Sequence, residues 1–296
     1  MRIFLTGGTG TIGAPVLQSL ISAGHDVTAL ARSPASAERL RAAGGAVLQG
    51  DIRAPEDWIG AVADCDTLVH TAATFDEDAV AAERRLVAAL KALPAERASP
   101  LHVVYTGGVW LFPDSGGAPV AETAAFAPIP AFAHVANAIR SLLAQRHLAV
   151  SVVHPALVCS RDGGPLAEMR DAAESGQAFA TRAAPDTVWP LVDASDLAAL
   201  YLKVVEARRY RLQVIGCGIS GVPVGSLIRL VSETLGLRLD LAHQQPPTDL
   251  PACQDVGAGY ALSQAFSPER ATRLTGWRPY HTDPAELVRA LMPLCG

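Results

Sequence analysis

The chain has 296 residues, of which half are hydrophobic, and a formal net charge of −5 without any block of lysines or arginines. This length is long for one domain and short for two, so we expect one large core with a small appended region. The acidic balance argues against nucleic acid as the main partner.

Cysteine usage and the N-terminal residues bear on the compartment. The five cysteines are scattered and form no CxxC pair, so neither a disulfide framework nor a zinc site is predicted. The chain enters a strand directly, without a charged leader or a cleavage site, and no apolar run has the length of a membrane span. We therefore expect a cytoplasmic protein without membrane contact.

The first predicted strand, residues 2–6, leads into a glycine-rich turn that ends at residue 13. Its spacing, Gly8-x-Gly10-x-x-Gly13, allows a tight turn, a close approach of backbone to phosphate, and close packing of the next helix. The N-terminus of that helix, predicted near residues 12–23, favours negative charge. The turn therefore predicts a dinucleotide site that includes Gly7, Thr9, Gly10, Thr11, Ile12 and Gly13.

Strand and helix patterns alternate through the first 155 residues, as is typical of a parallel sheet covered by helices on both faces. The predicted strands lie near residues 2–6, 26–31, 46–49, 67–70, 101–106 and 149–154. The predicted helices lie near residues 12–23, 35–43, 55–63, 79–93 and 131–147. Right-handed crossovers then give an α/β fold with a Rossmann-type doubly wound parallel sheet.

The regular alternation weakens beyond residue 160. Glycine and proline pairs mark loops around one further helix, where a substrate lid is expected. A helix near 195–207, a strand near 211–215 and helices near 224–236 and 284–293 complete the chain. We expect residues 1–159 to form the dinucleotide-binding domain and residues 160–296 to be mainly a small substrate-binding region, with elements at 191–215 returning to the core.

The end of the second strand bears on the choice of cofactor. It reads Leu30-Ala31-Arg32-Ser33, with no carboxylate for a ribose 2′-hydroxyl. The guanidinium of Arg32 and the hydroxyl of Ser33 suit a 2′-phosphate, so the sequence favours NADP(H) over NAD. The alternative for Arg32 is an ordinary surface residue at a strand end.

Two further strand ends offer cofactor contacts. Asp51, which precedes Ile52, either accepts a hydrogen bond from the adenine amine or closes a turn. The fourth strand ends in small residues that allow the backbone to lie against the ribose and diphosphate, namely Thr71, Ala72 and Ala73.

Short motifs extend in order along the whole chain: Thr6-Gly7-x-x-Gly10-x-x-Gly13, Gly50-Asp51, His70-Thr71-Ala72-Ala73, Val152-Val153-His154-Pro155, residues 192–198 and Gly276-Trp277-Arg278-Pro279. Together they resemble the extended short-chain dehydrogenase/reductase superfamily, and more narrowly NAD-dependent epimerase/dehydratase-like proteins. The resemblance implies a Rossmann core, a small-molecule substrate bound by the C-terminal region, and often a dimer. For this chain both a monomer and a homodimer remain open. It also places Pro155 and Val158 in the segment that contacts the nicotinamide carboxamide.

The chain departs from that family in its catalytic residues. The family uses a Tyr-x-x-x-Lys pair on the helix after the fifth strand, where the lysine lowers the pKa of the tyrosine. Here the fourth residue after each tyrosine is Val109, Val205, Val214, Gln264 or Pro284, and never lysine. The chain therefore most resembles the atypical branch of the superfamily, whose members keep the fold but lack the Tyr-x-x-x-Lys pair.

Two residues are candidates for the missing chemistry. His134 lies on the helix that would carry the pair, and an imidazole titrates near neutrality; the alternative is a histidine on a solvated helix face. Thr106 is the hydroxyl nearest to the family's catalytic serine, whose position aligns with Gly108. It either contacts cofactor or substrate, or closes the strand. His154 is a weaker candidate and is more typical of a structural hydrogen-bond donor.

Other patterns have ordinary structural explanations. Asp193 and Asp196 offer a carboxylate pair, but the start of a helical run favours a capping role. The aromatic residues at 110, 112, 126, 132 and 189 either line an apolar pocket or belong to the core. The sequence shows neither a nucleophile elbow nor metal-ligand spacing, which argues against a hydrolase and a metalloenzyme.

Three functions remain open at this level. We favour an NADP(H)-dependent oxidoreductase acting on a small carbonyl or enone-type metabolite, because Arg32 adds a selectivity device to the glycine turn. The alternatives are a non-redox isomerase, lyase or cyclase that retains the nucleotide, and a regulatory sensor of the NADP(H) redox state.

Overall fold

The computed structural model describes residues 1–94, 99–121 and 123–292. The strands are β1 (Arg2–Thr6), β2 (Asp26–Ala31), β3 (Ala46–Gln49), β4 (Thr67–His70), β5 (Leu101–Thr106), β6 (Pro119–Val120), β7 (Leu148–Pro155), β8 (Leu157–Cys159), β9 (Phe179–Thr181), β10 (Val188–Asp193), β11 (Leu212–Gly216), β12 (Ile219–Pro223), β13 (Leu241–His243) and β14 (Ala265–Phe266).

The helices are α1 (Gly13–Ser22), α2 (Pro34–Ala42), α3 (Ile59–Ala63), α4 (Ala79–Lys91), α5 (Ala133–Leu143), α6 (Pro165–Glu174), α7 (Ala194–Ala207), α8 (Val224–Leu235), α9 (Glu269–Thr275) and α10 (Pro284–Leu291). Short 3-10 helices lie at Pro55–Asp57, Val109–Leu111, Pro130–Phe132 and Val256–Ala261.

The contacts divide the chain into two compact units, each drawn from three stretches of sequence. The first comprises Met1–Gly107, Ala133–His154 and Ala198–Val214, and the second comprises Gly108–Phe132, Pro155–Leu197 and Ile215–Gly296.

The first unit is built on a seven-stranded sheet in the order β11-β7-β5-β4-β1-β2-β3. The pairings from β7 across to β3 are parallel, which confirms the predicted doubly wound sheet. The strand order reverses between β1 and β4, and the crevice at the carboxyl ends of strands at such a point is where ligands bind in open α/β sheets. Apolar side chains of the central strands, including Phe4, Leu68 and Val103, are fully buried.

Two predicted helices differ in extent from the sequence pattern. The helix expected at 55–63 is broken into a 3-10 turn and α3, because the Trp58 indole stacks on Phe4 and donates to the Asp51 carbonyl. The helix expected at 131–147 starts after a 3-10 turn at Pro130 and ends at Leu143.

The second unit has β10 at its centre, parallel to β8 and antiparallel to β12. Helices α6, α8 and α10 pack against one another, and their apolar side chains meet Trp189 and Leu191 of β10 in a separate core. Within the described residues, Cys65, Cys159, Cys217 and Cys253 form no disulfide. Cys295 and residue 293, the end of the predicted last helix, lie outside the described residues.

Candidate active site in the first unit

The glycine turn after β1 is held by close backbone contacts. Gly7 has φ +79°, and a Cβ there would lie 2.6 Å from the Ala72 nitrogen. A Cβ on Gly13 would lie 2.0 Å from the Gly7 carbonyl oxygen. The turn is closed by a 3.0 Å hydrogen bond from the Gly10 N–H to the same oxygen. Only glycine therefore fits at positions 7 and 13 without displacing the backbone.

Gly10 differs from these two glycines, because the protein's own packing does not require it. A Cβ at Gly10 would meet only the Gly7 oxygen, at the ordinary distance of 3.5 Å. Gly10 and Thr11 are exposed, Thr9 is half-buried, and α1 begins after Ile12 without a side-chain cap. The turn thus presents open space at the start of a helix without a side-chain cap, which suits a diphosphate. Of the first N–H groups of α1, that of Ala14 donates to the Gly10 carbonyl at 3.0 Å, and Pro15 has none.

Hydrogen bonds join the residue after β4 to the end of β1. The Thr71 N–H and its hydroxyl both donate to the Thr6 carbonyl, at 3.1 and 2.7 Å. The backbone of Ala72 packs against Gly7, and Ala73 follows in the same loop. The small residues predicted here therefore lie beside the glycine turn.

The end of β2 carries an arginine in an open position. Arg32 is exposed, and its guanidinium forms no hydrogen bond or ion pair within the described ranges. The Ser33 hydroxyl caps α2 by accepting from the Ser36 N–H at 3.2 Å, and it also bonds the Ser36 hydroxyl. A second arginine, Arg39 of α2, donates to the Thr9 carbonyl at 3.1 Å. Arg39 supports the turn, and the sequence pattern did not single it out.

Asp51 lies in a turn after β3. Its Oδ1 accepts from the Arg53 N–H at 2.9 Å, and its Oδ2 lies 3.6 Å from the Arg53 guanidinium. Arg53 also pairs with Asp76 and Asp78, so it ties this turn to the segment before α4. The turn role considered for Asp51 is thus present, and Ile52 lies half-buried beside it.

Thr106, at the end of β5, has two internal partners. Its hydroxyl donates to the His70 carbonyl at 2.6 Å and lies 2.6 Å from the Tyr201 hydroxyl, which donates in return. Burial raises the pKa of Tyr201 well above its ordinary value, so its proton stays in place. The Thr106 hydroxyl has a single proton, which it donates to the His70 carbonyl. It therefore holds the end of β5 in place and has no proton left to donate to a substrate carbonyl.

A polar row crosses the ends of three central strands. Thr6, His70 and Tyr105 are register neighbours on β1, β4 and β5, and the Thr6 hydroxyl lies 2.7 Å from the His70 Nδ1. The carboxylate of Glu83 on α4 reaches this row, 3.9 Å from the His70 Nε2. Burial and the neighbouring carboxylate raise the pKa of Tyr105 well above its usual range.

His134 lies in the first turn of α5 and is half-buried. Helix α5 packs against α4, and the charge of His134 makes a small contribution to lowering the pKa of Glu83. His154, by contrast, is fully buried at the end of β7, with its ring against Gly107. That position suits a structural role for His154 and leaves His134 as the titratable group with access to solvent.

The remaining predicted positions belong to the second unit. Pro155 ends β7, and Val158 in β8 pairs with Val192 of β10. Asp193 caps α7 through the N–H groups of residues 195 and 196. Asp196 accepts from the backbone N–H groups of residues 280 and 281, at 2.9 and 2.8 Å. The two carboxylates therefore have a structural role, as acceptors of backbone N–H groups, rather than an acid/base role.

Structural roles also account for a cluster of three potential metal ligands and for the aromatic residues. Asp193, Asp196 and His281 bring three ligand atoms within 4.8 Å, but the carboxylate oxygens already accept N–H groups. Trp189 and Phe112 are core residues, whereas Trp110 and Phe132 are half-buried and meet edge to face at 5.5 Å. The aromatic cluster is thus part of the packing of the second unit.

The sequence model of the NAD dependent epimerase/dehydratase family matches residues 3–216, which include the glycine turn and all seven strands of the first sheet. The chain belongs to this family. An uncharacterised protein of Schizosaccharomyces pombe is 24% identical over 289 residues, which cover 95% of this chain and 96% of that protein.

Solved structures share the epimerase/dehydratase fold over nearly the whole chain. A UDP-glucose 4-epimerase of Thermus thermophilus, solved with NAD, has a TM-score of 0.78 and 19% identity and covers 98% of both chains. A human epimerase family protein, solved with NADPH, has a TM-score of 0.73 and 19% identity, covering 98% of this chain and 99% of the other. Both nicotinamide cofactors therefore occur on this fold. No helix in the described ranges has the length and apolarity needed to cross a membrane.

Proposed function

We propose that this family member is an NADP(H)-dependent oxidoreductase that acts on a small carbonyl or enone-type metabolite. The observation that carries the proposal is the open surface over Gly10 at the start of a helix without a side-chain cap. The packing of the protein alone gives no reason for glycine at that position, whereas a bound diphosphate does. When bound, a nicotinamide cofactor supplies or accepts a hydride.

The residues of the first unit fit such a cofactor. Gly7, Gly10 and Gly13 with the start of α1 would hold the diphosphate, and the small residues at 71–73 leave room beside it. Asp51, in the turn after β3, and Ile52 beside it would meet the adenine.

The NADP(H) preference rests on the end of β2. Arg32 is exposed with its guanidinium unpaired within the described part of the chain, and no carboxylate precedes it on that strand end. A guanidinium matches a 2′-phosphate in charge and geometry. The Ser33 hydroxyl supports this only indirectly, since it caps α2 and thereby fixes the start of the helix that follows Arg32.

Reduction of a carbonyl requires one proton at the carbonyl oxygen for each hydride. We assign that proton to His134, because it is half-buried in the first turn of α5 whereas Thr106 has donated its own proton to the His70 carbonyl. Two alternatives stay open beside it: a non-redox isomerase, lyase or cyclase that retains the nucleotide, and a regulatory sensor of the NADP(H) redox state, which the absence of Tyr-x-x-x-Lys supports.

The test is oxidation of NADPH with a panel of small ketones, aldehydes and enones. We expect turnover with at least one member and a large loss of kcat in His134→Gln. Tight NADPH binding without turnover on the panel, together with isomerase or lyase activity that persists on a redox-inert NADPH analogue, would favour the non-redox candidate instead.

A further inference from the structure

One of the four tryptophans differs from the other three in its hydrogen bonding. The indole N–H groups of Trp58, Trp189 and Trp277 donate to backbone carbonyls at 2.8, 2.9 and 2.8 Å, and these three side chains are buried. Trp110 is half-buried, and its indole N–H is open to solvent and forms no hydrogen bond within the described part of the chain. Indole N–H groups in protein interiors usually have a partner, so this donor is left for a ligand.

The side chain of Trp110 is nevertheless fixed. It lies in the 3-10 turn Val109–Leu111, whose first carbonyl accepts from the buried amide of Gln264 at 3.1 Å. The carbonyl of Trp110 itself accepts from the Ile129 N–H at 3.2 Å. The indole packs on Gly259, where a Cβ would lie only 2.2 Å from the ring. Packing, and not a bond to its N–H, therefore holds the indole in one orientation.

Two further rings meet the indole edge to face. The ring centroid of Phe132 lies 5.5 Å from that of Trp110, and the ring centroid of Tyr260 lies 5.1 Å from it. Both rings are half-buried. Trp110, Phe132 and Tyr260 belong to the second unit, and we call these three side chains the aromatic surface.

The Tyr260 hydroxyl adds a second unpaired donor to the aromatic surface. It is open to solvent and forms no hydrogen bond in the ranges that the structure describes. Burial raises the pKa of Tyr260 to about 12, with smaller contributions from Glu168 and Cys159, so the hydroxyl keeps its proton at neutral pH. A surface of aromatic rings with a few polar groups is typical of small-molecule sites.

The place of Trp110 in the chain connects it with ligand binding. Its 3-10 turn follows β5, which ends at Thr106, after only two glycines. In open α/β sheets, ligands bind outside the carboxyl ends of the strands. A side chain that follows a central strand so closely is therefore suited to contact a substrate.

We propose that Trp110 determines the specificity of the oxidoreductase function proposed above, on which this inference rests, by selecting a planar, unsaturated carbonyl compound. The class comprises aryl ketones, aryl aldehydes and aryl-substituted enones that carry a second oxygen on the ring. The flat part of the substrate lies against the aromatic surface, since aromatic pairs gain more than saturated groups of equal area. The ring oxygen accepts from the Trp110 N–H, and a substrate without this oxygen leaves the donor unpaired.

The test is a proton–nitrogen correlation spectrum of the nitrogen-15-labelled full-length protein, in which each tryptophan gives one indole N–H signal. The Trp110 signal is assigned by its loss in Trp110→Phe. In the wild type it should also be the first of the four to disappear in heavy water, because the other three N–H groups are bonded and their side chains are buried. This second assignment does not depend on the folding of any variant.

Ligands are then added in the presence of NADP⁺, which prevents reduction of a ketone. We expect para-hydroxyacetophenone to shift the Trp110 signal more than the other three signals. Its saturated counterpart, para-hydroxycyclohexyl methyl ketone, should leave the Trp110 signal nearly in place at the same concentration. Equal shifts with the two ketones, or no selective shift at Trp110 with the aryl ketone, would overturn the proposal.

A binding titration separates the ring from its N–H. Trp110→Phe keeps an aromatic ring but removes the donor, so it should weaken the binding of para-hydroxyacetophenone about tenfold and change that of unsubstituted acetophenone little. The matched control is Tyr280→Phe, at an aromatic residue of the same unit that is 84% exposed, which should bind both ketones as the wild type does. Equal losses for the two ketones in Trp110→Phe would overturn the role of the N–H.

The outcome for this site is distinguishable from that for the proposed function. A selective shift at Trp110 without oxidation of NADPH on the carbonyl panel would support the aromatic surface as a ligand site and overturn the oxidoreductase function. Oxidation of NADPH with carbonyl substrates that leave the Trp110 signal unchanged would support that function and overturn the role of Trp110.

Discussion

The replacement Gly10→Ala separates folding from cofactor binding. The new Cβ would meet only the Gly7 oxygen at 3.5 Å, and the backbone of Gly10 is outside the left-handed region. Glycine-to-alanine changes at compatible positions stabilise proteins by about 0.4–1 kcal/mol through the unfolded state. We therefore expect the nucleotide-free variant to be as stable as the wild type or slightly more so.

Cofactor affinity is expected to respond in the opposite direction. A methyl group on the open surface of the turn occupies space that the proposed diphosphate needs, and a loss of about 1.4 kcal/mol is already a tenfold weaker Kd. We expect NADPH binding by Gly10→Ala to weaken at least tenfold in calorimetric titration.

Two controls bracket this result. Gly13→Ala places a Cβ 2.0 Å from the Gly7 oxygen and 2.7 Å from the Thr71 hydroxyl, so it should lose both NADPH binding and about 1–3 kcal/mol of stability. Gly60→Ala, whose Cβ meets nothing within 4 Å, should preserve both. If Gly10→Ala binds NADPH as tightly as the wild type, or unfolds as early as Gly13→Ala, the interpretation of the turn is refuted.

Three further predictions concern charged and buried groups. Arg32→Gln should weaken the binding of NADPH at least tenfold, by about 1.5–3 kcal/mol for a charged hydrogen bond, and leave the affinity for NADH unchanged. The control Arg41→Gln, at an exposed position, should change neither affinity, and equal losses for both nucleotides in calorimetry would contradict the 2′-phosphate role. Burial, with a smaller contribution from a nearby arginine, lowers the pKa of His102 from 6.5 to about 4. The free energy of unfolding is therefore unaffected by His102 above about pH 6.5 and falls as the pH drops toward 4, by about 3 kcal/mol in total. Urea unfolding of the wild type and of His102→Asn at pH 7 and pH 4.5 checks this. An equal loss of stability in both proteins would exclude His102 as the cause. Asp196→Asn weakens the acceptor of the N–H groups of residues 280 and 281 and should cost about 1–3 kcal/mol, with faster limited proteolysis of the C-terminal segment; unaltered cleavage would argue against the tether.

Much of the first unit follows from local sequence patterns. Strand β1, the glycine turn and α1 were predictable because the turn chemistry and the apolar periodicities agree there. The break in the helix at Trp58 was not predictable, because it depends on stacking with Phe4 and on the carbonyl of Asp51. The composition of the units also escaped sequence reasoning, since each combines three distant stretches of chain.

The candidate site shows the same limit. A glycine spacing identifies the turn, but the two partners of Thr106 lie 36 and 95 residues away, and no local pattern connects them. Glu83 was equally hidden, because in sequence it reads as the start of a charged surface run with Arg84 and Arg85. Its burial depends on how α4 packs on the sheet, and the row of Thr6, His70 and Tyr105 appears only in the strand register.

The central claim is hydride transfer, and isotope transfer tests it most directly. The protein is incubated with NADPH that carries deuterium at nicotinamide C4 and with the carbonyl that gives turnover in the panel, and the product is examined by mass spectrometry. The account predicts one deuterium on the former carbonyl carbon of a ketone or aldehyde, or on the β-carbon of an enone, with turnover greatly reduced in His134→Gln. A product formed without deuterium, from either face of the labelled cofactor, would contradict it.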